Sequence, residues 1–204
     1  MKPKLIIKLT KVFNRRLPGK STHEKMIVRP KQKFPEKKRT LPAAVLVLLY
    51  PVKENWYFYL TKRTKTVAHH KGQISLPGGM LDEGESSQNA AIRETYEELG
   101  IKPKDINIIG PLTPLYIPIS SFKIFPFVGW ITKKTKLNIQ SKEVSKVFSP
   151  SISSLINPQN KKIKISTMFG QKVKIPFFDL NNEIVWGATS MILSEFKSIL
   201  KEIK

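Results

Sequence analysis

Apolar and polar positions change period several times along this chain, and each change marks an element. Leu5, Ile6, Leu9, Val12 and Phe13 recur at helical spacing, with Lys2, Lys4, Lys8 and Lys11 elsewhere on the turn. That pattern predicts a short amphipathic helix with a basic outer face. Leu17-Pro18-Gly19 ends it, and Lys31 to Arg39 forms a polar, proline-containing linker. Ala43 to Tyr50 is an unbroken apolar run of strand length, and Trp56 to Thr61 is its neighbour across a turn at Pro51–Asn55. Positions 62–79 read as a loop. Gln88 to Leu99 lacks Gly and Pro and is rich in helix formers. Gly100 follows where a helix end favours a left-handed residue. Short strands are predicted near Ile106–Ile109 and Ile124–Ile131. Lys161–Ile165 and Lys172–Ile175 alternate as a half-exposed hairpin does. Ala188, Met191, Ile192, Phe196, Ile199, Leu200 and Ile203 form the apolar stripe of a last helix.

Strands interleaved with helices predict an α/β fold, an α/β/α sandwich around a mixed sheet with an N-terminal extension. Residues 1–40 read as a basic arm, and residues 41–204 as one domain that includes the last helix. The arm helix is expected to pack on the domain or on a second copy in a homodimer. Its rival role, lying on a membrane, suits a basic amphipathic helix but asks more of so short a segment.

The densest chemistry lies on the middle helix. Glu94, Glu97 and Glu98 are spaced i, i+3, i+4 and so share one face. Three like charges there repel unless a cation sits among them. Carboxylate oxygens suit a hard cation, Mg2+ or Mn2+. The chain has no Cys and three His, which disfavours a zinc site. Leu76-Pro77-Gly78-Gly79 is a tight turn that brings a backbone carbonyl, that of Gly79, toward the same cation. Arg93 adjoins the carboxylates and is placed to fix their rotamers. A Glu-Glu pair alone would suit an ordinary solvated acidic helix; the full spacing does not.

From Gly79 to Ile101 the chain reads G-x5-E-x7-R-E-x2-E-E-x-G-I, with Glu85 as the first acid. This resembles the signature box of Nudix hydrolases, without a gap. Thr95 stands where an aliphatic residue is common. The resemblance implies a Nudix-type sandwich and hydrolysis of a diphosphate linked to a second moiety, using divalent metal and water. It implies metal ligation by the Gly79 carbonyl, Glu94, Glu97 and Glu98, with Arg93 in the catalytic set and Glu85 in support. The base is a box glutamate or a downstream one such as Glu143, which is expected near a helix start, where an acid is also simply favourable.

A second motif precedes the box. Thr61, Arg63, Thr64, His70, Gly72, Gln73, Ile74, Pro77, Gly78 and Gly79 fall in register with the segment that marks the coenzyme A pyrophosphatase branch of that family, in its bacterial form. Segments Leu112–Phe122, Phe125–Gly129 and Val185–Thr189 extend the resemblance. Ala68 and Leu76 depart from it, where many relatives carry Arg and Phe. The implied reaction splits coenzyme A into 3′,5′-ADP and 4′-phosphopantetheine. Arg63 offers a planar fork for phosphate oxygens. Thr61, Gln73 and Gly78 are expected along the substrate, and His70, or His69, either binds phosphate or caps the loop. Tyr116 and Phe122 are core residues or an adenine stack. Rival substrates are ADP-ribose, NADH or a modified nucleotide. A non-catalytic RNA- or membrane-binding scaffold is a further rival, but it has no reason to keep repelling glutamates.

Charge changes the picture little. Lys and Arg total 36 against 15 Asp and Glu, a net of +21. Such a field attracts polyanions, but the lysines are scattered, so the expected partner is a small diphosphate substrate and no specific nucleic acid. Absent cysteines suit the cytoplasm. Leu5-Ile6-Ile7 is too short for a signal peptide core, and Ala43–Tyr50 too short to span a bilayer, so a cytoplasmic chain without a membrane span is expected.

Overall fold

The computed structural model describes residues 2–28, 40–64, 73–140 and 144–203. In chain order come α1 (Lys4–Phe13), α2 (Lys20–His23), β1 (Leu41–Val52), β2 (Asn55–Phe58), β3 (Leu60–Arg63), β4 (Ile74–Ser75) and β5 (Gly78–Met80). Then follow α3 (Ser87–Leu99), β6 (Asn107–Pro111), β7 (Leu115–Ile117), β8 (Phe122–Trp130) and β9 (Val144–Phe148). The chain closes with α4 (Ile152–Ile156), β10 (Lys161–Met168), β11 (Gln171–Leu180), β12 (Glu183–Val185) and α5 (Gly187–Glu202).

Strand β1 is the axis. It runs parallel to β8 and antiparallel to β2 and β5, while β6 and β7 extend the far side of β8. Both faces of β1 are covered, which explains an unbroken apolar run in place of alternation. On one face Val47 and Leu49 pack with Ile6, Leu9 and Val12 of α1 and with Ile192, Phe196 and Ile199 of α5. On the other, Leu46, Leu48 and Tyr50 pack with Ala90, Ala91 and Leu99 of α3. The mixed sheet therefore lies between helices, as expected.

Four local expectations change. The single strand predicted at 56–61 is two: β2 stays with β1, while β3 pairs with β4 and β9 in a second sheet. Phe58, Tyr59 and Leu60 are all fully buried, so this stretch cannot alternate in and out of one half-exposed sheet; it bridges two. The predicted loop 62–79 contains β4 and β5, because Gly78 and Gly79 pair with Val45 and Ala44. The helix expected from about position 143 is not what the described residues from 144 onward form. The segment there is β9, whose Val144, Val147 and Phe148 favour a strand and meet β3. Glu143 itself lies outside the described residues. Helix α1 ends at Phe13 with Asn14 as its cap, before Leu17. Among the described residues no helix is long and apolar enough to cross a membrane.

Candidate active site

Local chemistry builds α3 as the acidic helix. The Ser86 hydroxyl accepts from the Asn89 N–H at 3.2 Å and starts it. Gly100 ends it at φ 72°, donating its N–H to the Tyr96 carbonyl at 2.7 Å. Ala90, Ala91, Thr95 and Leu99 face the core. Thr95 is fully buried and its hydroxyl donates to the Ala91 carbonyl at 2.7 Å, so it fits the apolar seam without an orphaned group. Burying that face turns the glutamates toward β5.

There they border a hollow of about 310 Å³, lined by Gly78, Gly79, Met80, Glu94, Glu97, Glu98 and Gln140. The two glycines serve different ends. At Gly78, φ is 151°, and a Cβ would meet the Ala44 carbonyl oxygen at 2.2 Å; the strand is pressed against β1. At Gly79 a Cβ would lie 2.4 Å from Cδ of Glu94. The missing side chain leaves the space that the carboxylate occupies.

Arg93 organises the acids. Its Nε and Nη2 donate to the two carboxylate oxygens of Glu85 at 3.0 and 2.9 Å. Nη2 also donates to the Met80 carbonyl at 3.0 Å. Nη1 donates to Glu94 at 2.8 Å and Glu97 at 3.2 Å. Asp82 approaches Nε at 3.4 Å. These bonds, with Glu85 foremost, hold the guanidinium further above its ordinary pKa, and Arg93 in turn holds Glu85 below the usual carboxylate range. The cation that relieves repulsion here is thus Arg93 itself. Among the described residues no three His, Cys, Asp or Glu side chains form a ready metal cage. A hard divalent cation nonetheless fits the chemistry: the charged donors are all carboxylates, they outnumber the one guanidinium, and Gly79 leaves room at Glu94.

The upstream motif is brought only partly to this place. Gly78 and Gly79 line the hollow. Thr61 is fully buried, its hydroxyl 3.1 Å from that of Ser75 across β3 and β4. Gln73 is half-buried just before β4, and Arg63 ends β3. His69, His70, Gly72 and Glu143 lie outside the described residues. Tyr116 and Phe122, half-buried on β7 and β8, sit in the sheet.

Gln140 was not legible from sequence. It reaches the hollow because two backbone bonds strap its segment to the end of α3: Asn138 N–H to the Leu99 carbonyl at 3.0 Å, and Gln140 N–H to the Glu98 carbonyl at 3.2 Å. A Cβ on Gly100 would come within 2.7 Å of Asn138, so the helix cap also admits this strap. The capping glycine was the only signal available. Likewise unforeseen is Glu183, which ties Lys62 at 2.9 Å and Lys146 at 3.2 Å beside β3 and β9.

Comparison with known proteins supplies an independent view. Residues 40–165 match the family model described as NUDIX domain. The chain is 31% identical to an uncharacterized Nudix hydrolase NudL from Enterobacter sp. (strain 638), over 75% of this chain and 79% of that protein. It is 29% identical to Nudix hydrolase 3 of Caenorhabditis elegans, over 94% and 90% respectively. With the mitochondrial Nudix hydrolase 15 of Arabidopsis thaliana it shares 28% identity over 86% of its own length, but spans only 64% of that protein. Among solved structures, a MutT/nudix family protein from Enterococcus faecalis superposes with a TM-score of 0.56 at 18% identity, covering 98% of this chain and 76% of that one. That likeness concerns the fold alone.

Proposed function

Because the chain belongs to the Nudix family, we propose that it hydrolyses a diphosphate linked to a second moiety, with coenzyme A or a derivative as the substrate. The observation that carries the reaction class is the set Glu94, Glu97 and Glu98 around a hollow edged by Gly79, with Arg93 bonded across Glu85, Glu94 and Glu97. Support for coenzyme A is the sequence from Thr61 to Gly79, whose Arg63, Thr64, Gln73 and Ile74 stand in the register of that branch. ADP-ribose, NADH and modified nucleotides are the rivals.

Mg2+ or Mn2+ would be held by Glu94, Glu97, Glu98 and the Gly79 carbonyl; bound there, it supplies charge neutralisation of the diphosphate and orientation of water. Arg93 keeps the Glu94 and Glu97 carboxylates in fixed rotamers, which removes reorganisation from the reaction. Glu98, nearly fully buried, presents its carboxyl to the hollow from a low-dielectric wall, where its charge acts strongly. Gln140 adds a neutral amide at the rim. Arg63 grips a substrate phosphate with its fork.

The deciding experiment measures kcat/KM with divalent metal across coenzyme A, dephospho-coenzyme A, ADP-ribose, NADH and oxidised dGTP. Release of 3′,5′-ADP and 4′-phosphopantetheine from coenzyme A is expected. Arg63→Ala should cost about 1.5–3 kcal/mol on coenzyme A, the scale of a hydrogen bond to a charged group. The loss shrinks on dephospho-coenzyme A if the contact is to the ribose 3′-phosphate. Turnover of ADP-ribose or NADH without coenzyme A turnover overturns the substrate and leaves the reaction class.

A further inference from the structure

The β10–β11 hairpin carries a surface that the catalytic reading does not use. Residues 161–176 include five lysines and no acidic residue. In the antiparallel register Ile163 faces Pro176, Ile165 faces Lys174 and Thr167 faces Lys172, so these six share one face. Ile163 is 64% exposed and Ile165 69%. Phe169, at the turn, is 47% exposed and sits at φ 51°. A single exposed apolar residue is ordinary. Two isoleucines on one strand face, with a phenylalanine beyond them at the tip, form a patch that water alone does not explain. A hollow of about 490 Å³ continues this face to Lys25 and Ile27, with Glu24 its one acidic lining residue.

The charges around the patch are uncommitted. Lys162 is spoken for by Asp179 at 2.6 Å. Lys25, Lys161, Lys164, Lys172 and Lys174 have no carboxylate partner among the described residues. Among the described residues β10 pairs with β11 alone and is a sheet edge.

We propose that this hairpin is an interfacial anchor that docks the protein on an anionic lipid surface. Ile163, Ile165 and Phe169 enter the boundary between headgroups and acyl chains, and Lys25, Lys172 and Lys174 face lipid phosphates. Charge complementarity selects this occupant. A second copy pairing along β10 would set lysine against lysine, the arrangement by which sheet edges resist self-association. Nucleic acid would satisfy the lysines but gives aliphatic side chains little to bury against, since its bases favour aromatic and guanidinium planes. An anionic bilayer meets both demands, and the net charge of +21 draws the whole molecule toward it.

The test is co-sedimentation of the full chain with vesicles of phosphatidylcholine alone or with about 30% phosphatidylglycerol, at about 50 mM and about 500 mM salt. Binding only to the anionic vesicles at low salt is expected. Ile163→Ser with Ile165→Ser should weaken it at least about tenfold through lost apolar burial. Lys172→Gln with Lys174→Gln should weaken it by a similar factor. All four side chains are exposed, so melting by circular dichroism should not change; Phe169→Ser is the second probe should the isoleucine variant melt early. No binding to anionic vesicles overturns the proposal. So does wild-type binding by the isoleucine variant, which would mean charge alone and therefore any polyanion. A wild-type dimer that becomes monomeric in that variant, seen by light scattering, would make the face a subunit interface and overturn it too.

Discussion

Two regions of this molecule hold glutamates, and they do so in opposite ways. In the interior, several donors converge on one carboxylate. Glu195 of α5, fully buried, accepts from the Gly19 N–H at 3.0 Å and the Thr113 hydroxyl at 2.7 Å on one oxygen. Its other oxygen accepts from the Thr113 N–H at 3.1 Å and His23 Nε2 at 3.0 Å. At the candidate active site one guanidinium is shared among several carboxylates, those of Glu85, Glu94 and Glu97. The first arrangement saturates both oxygens and ties the arm and the β6–β7 connection to the last helix. The second leaves negative charge in excess beside a hollow, where added positive charge is favourable. Donor saturation suits a structural carboxylate, and carboxylate excess suits the cation-binding role proposed for the acidic helix.

The sharpest break of that contrast is Glu195→Ala. It strips the acceptor from four donors, and removal of one partner from a buried network costs about 3–5 kcal/mol. Urea unfolding should show this; a loss under about 1 kcal/mol would place Glu195 outside the stabilising network. Glu98→Gln comes next and acts on the other side of the ledger. Turnover should fall at least about a hundredfold, roughly 2.7 kcal/mol of transition-state stabilisation, while the metal-free melting temperature holds or rises. Near-normal turnover would remove Glu98 from the catalytic set.

Adjacent glycines sharpen the contrast further. Gly78→Ala must displace the β1 backbone and should cost about 2 kcal/mol or more of stability. Gly79→Ala meets the side-chain end of Glu94 and no backbone, so stability should change by less than about 1 kcal/mol while the displaced carboxylate lowers turnover by roughly tenfold. Paired melting curves and kinetics on the two variants decide it; equal effects on both quantities would contradict the distinct roles.

The smallest effect is on acid stability. Burial alone would raise the pKa of Glu195, but the hydrogen bonds from His23 and Thr113 prevail and hold it below the ordinary value. Glu183 is lowered first by Lys62, against burial, and then by Lys146. A depressed folded-state pKa stabilises above the unfolded value, about 4.3, and that stability is lost as pH falls through the folded value. Wild-type stability should therefore fall as pH drops through about 4.3 and below, with Glu195→Gln losing less over that span. Parallel urea midpoints for both proteins across that window check the sign.

What the sequence determined on its own is whatever depends on short-range geometry. Helical spacing places Glu94, Glu97 and Glu98 on one face, Gly100 stops the helix, and apolar period marks β1, the hairpin and the last helix. These rest on backbone periodicity and on the conformational freedom of glycine, which a few neighbouring residues suffice to express. Only the tertiary structure decided who meets those elements from afar. Gln140 reaches the hollow through a strap across the α3 terminus, and Glu195 joins His23 and Thr113 over more than eighty residues of chain. Thr61 turns inward to Ser75, and the stretch after Phe58 changes sheets. Such contacts follow from how sheets and helices stack in three dimensions, and no local pattern of residues encodes a partner that distant.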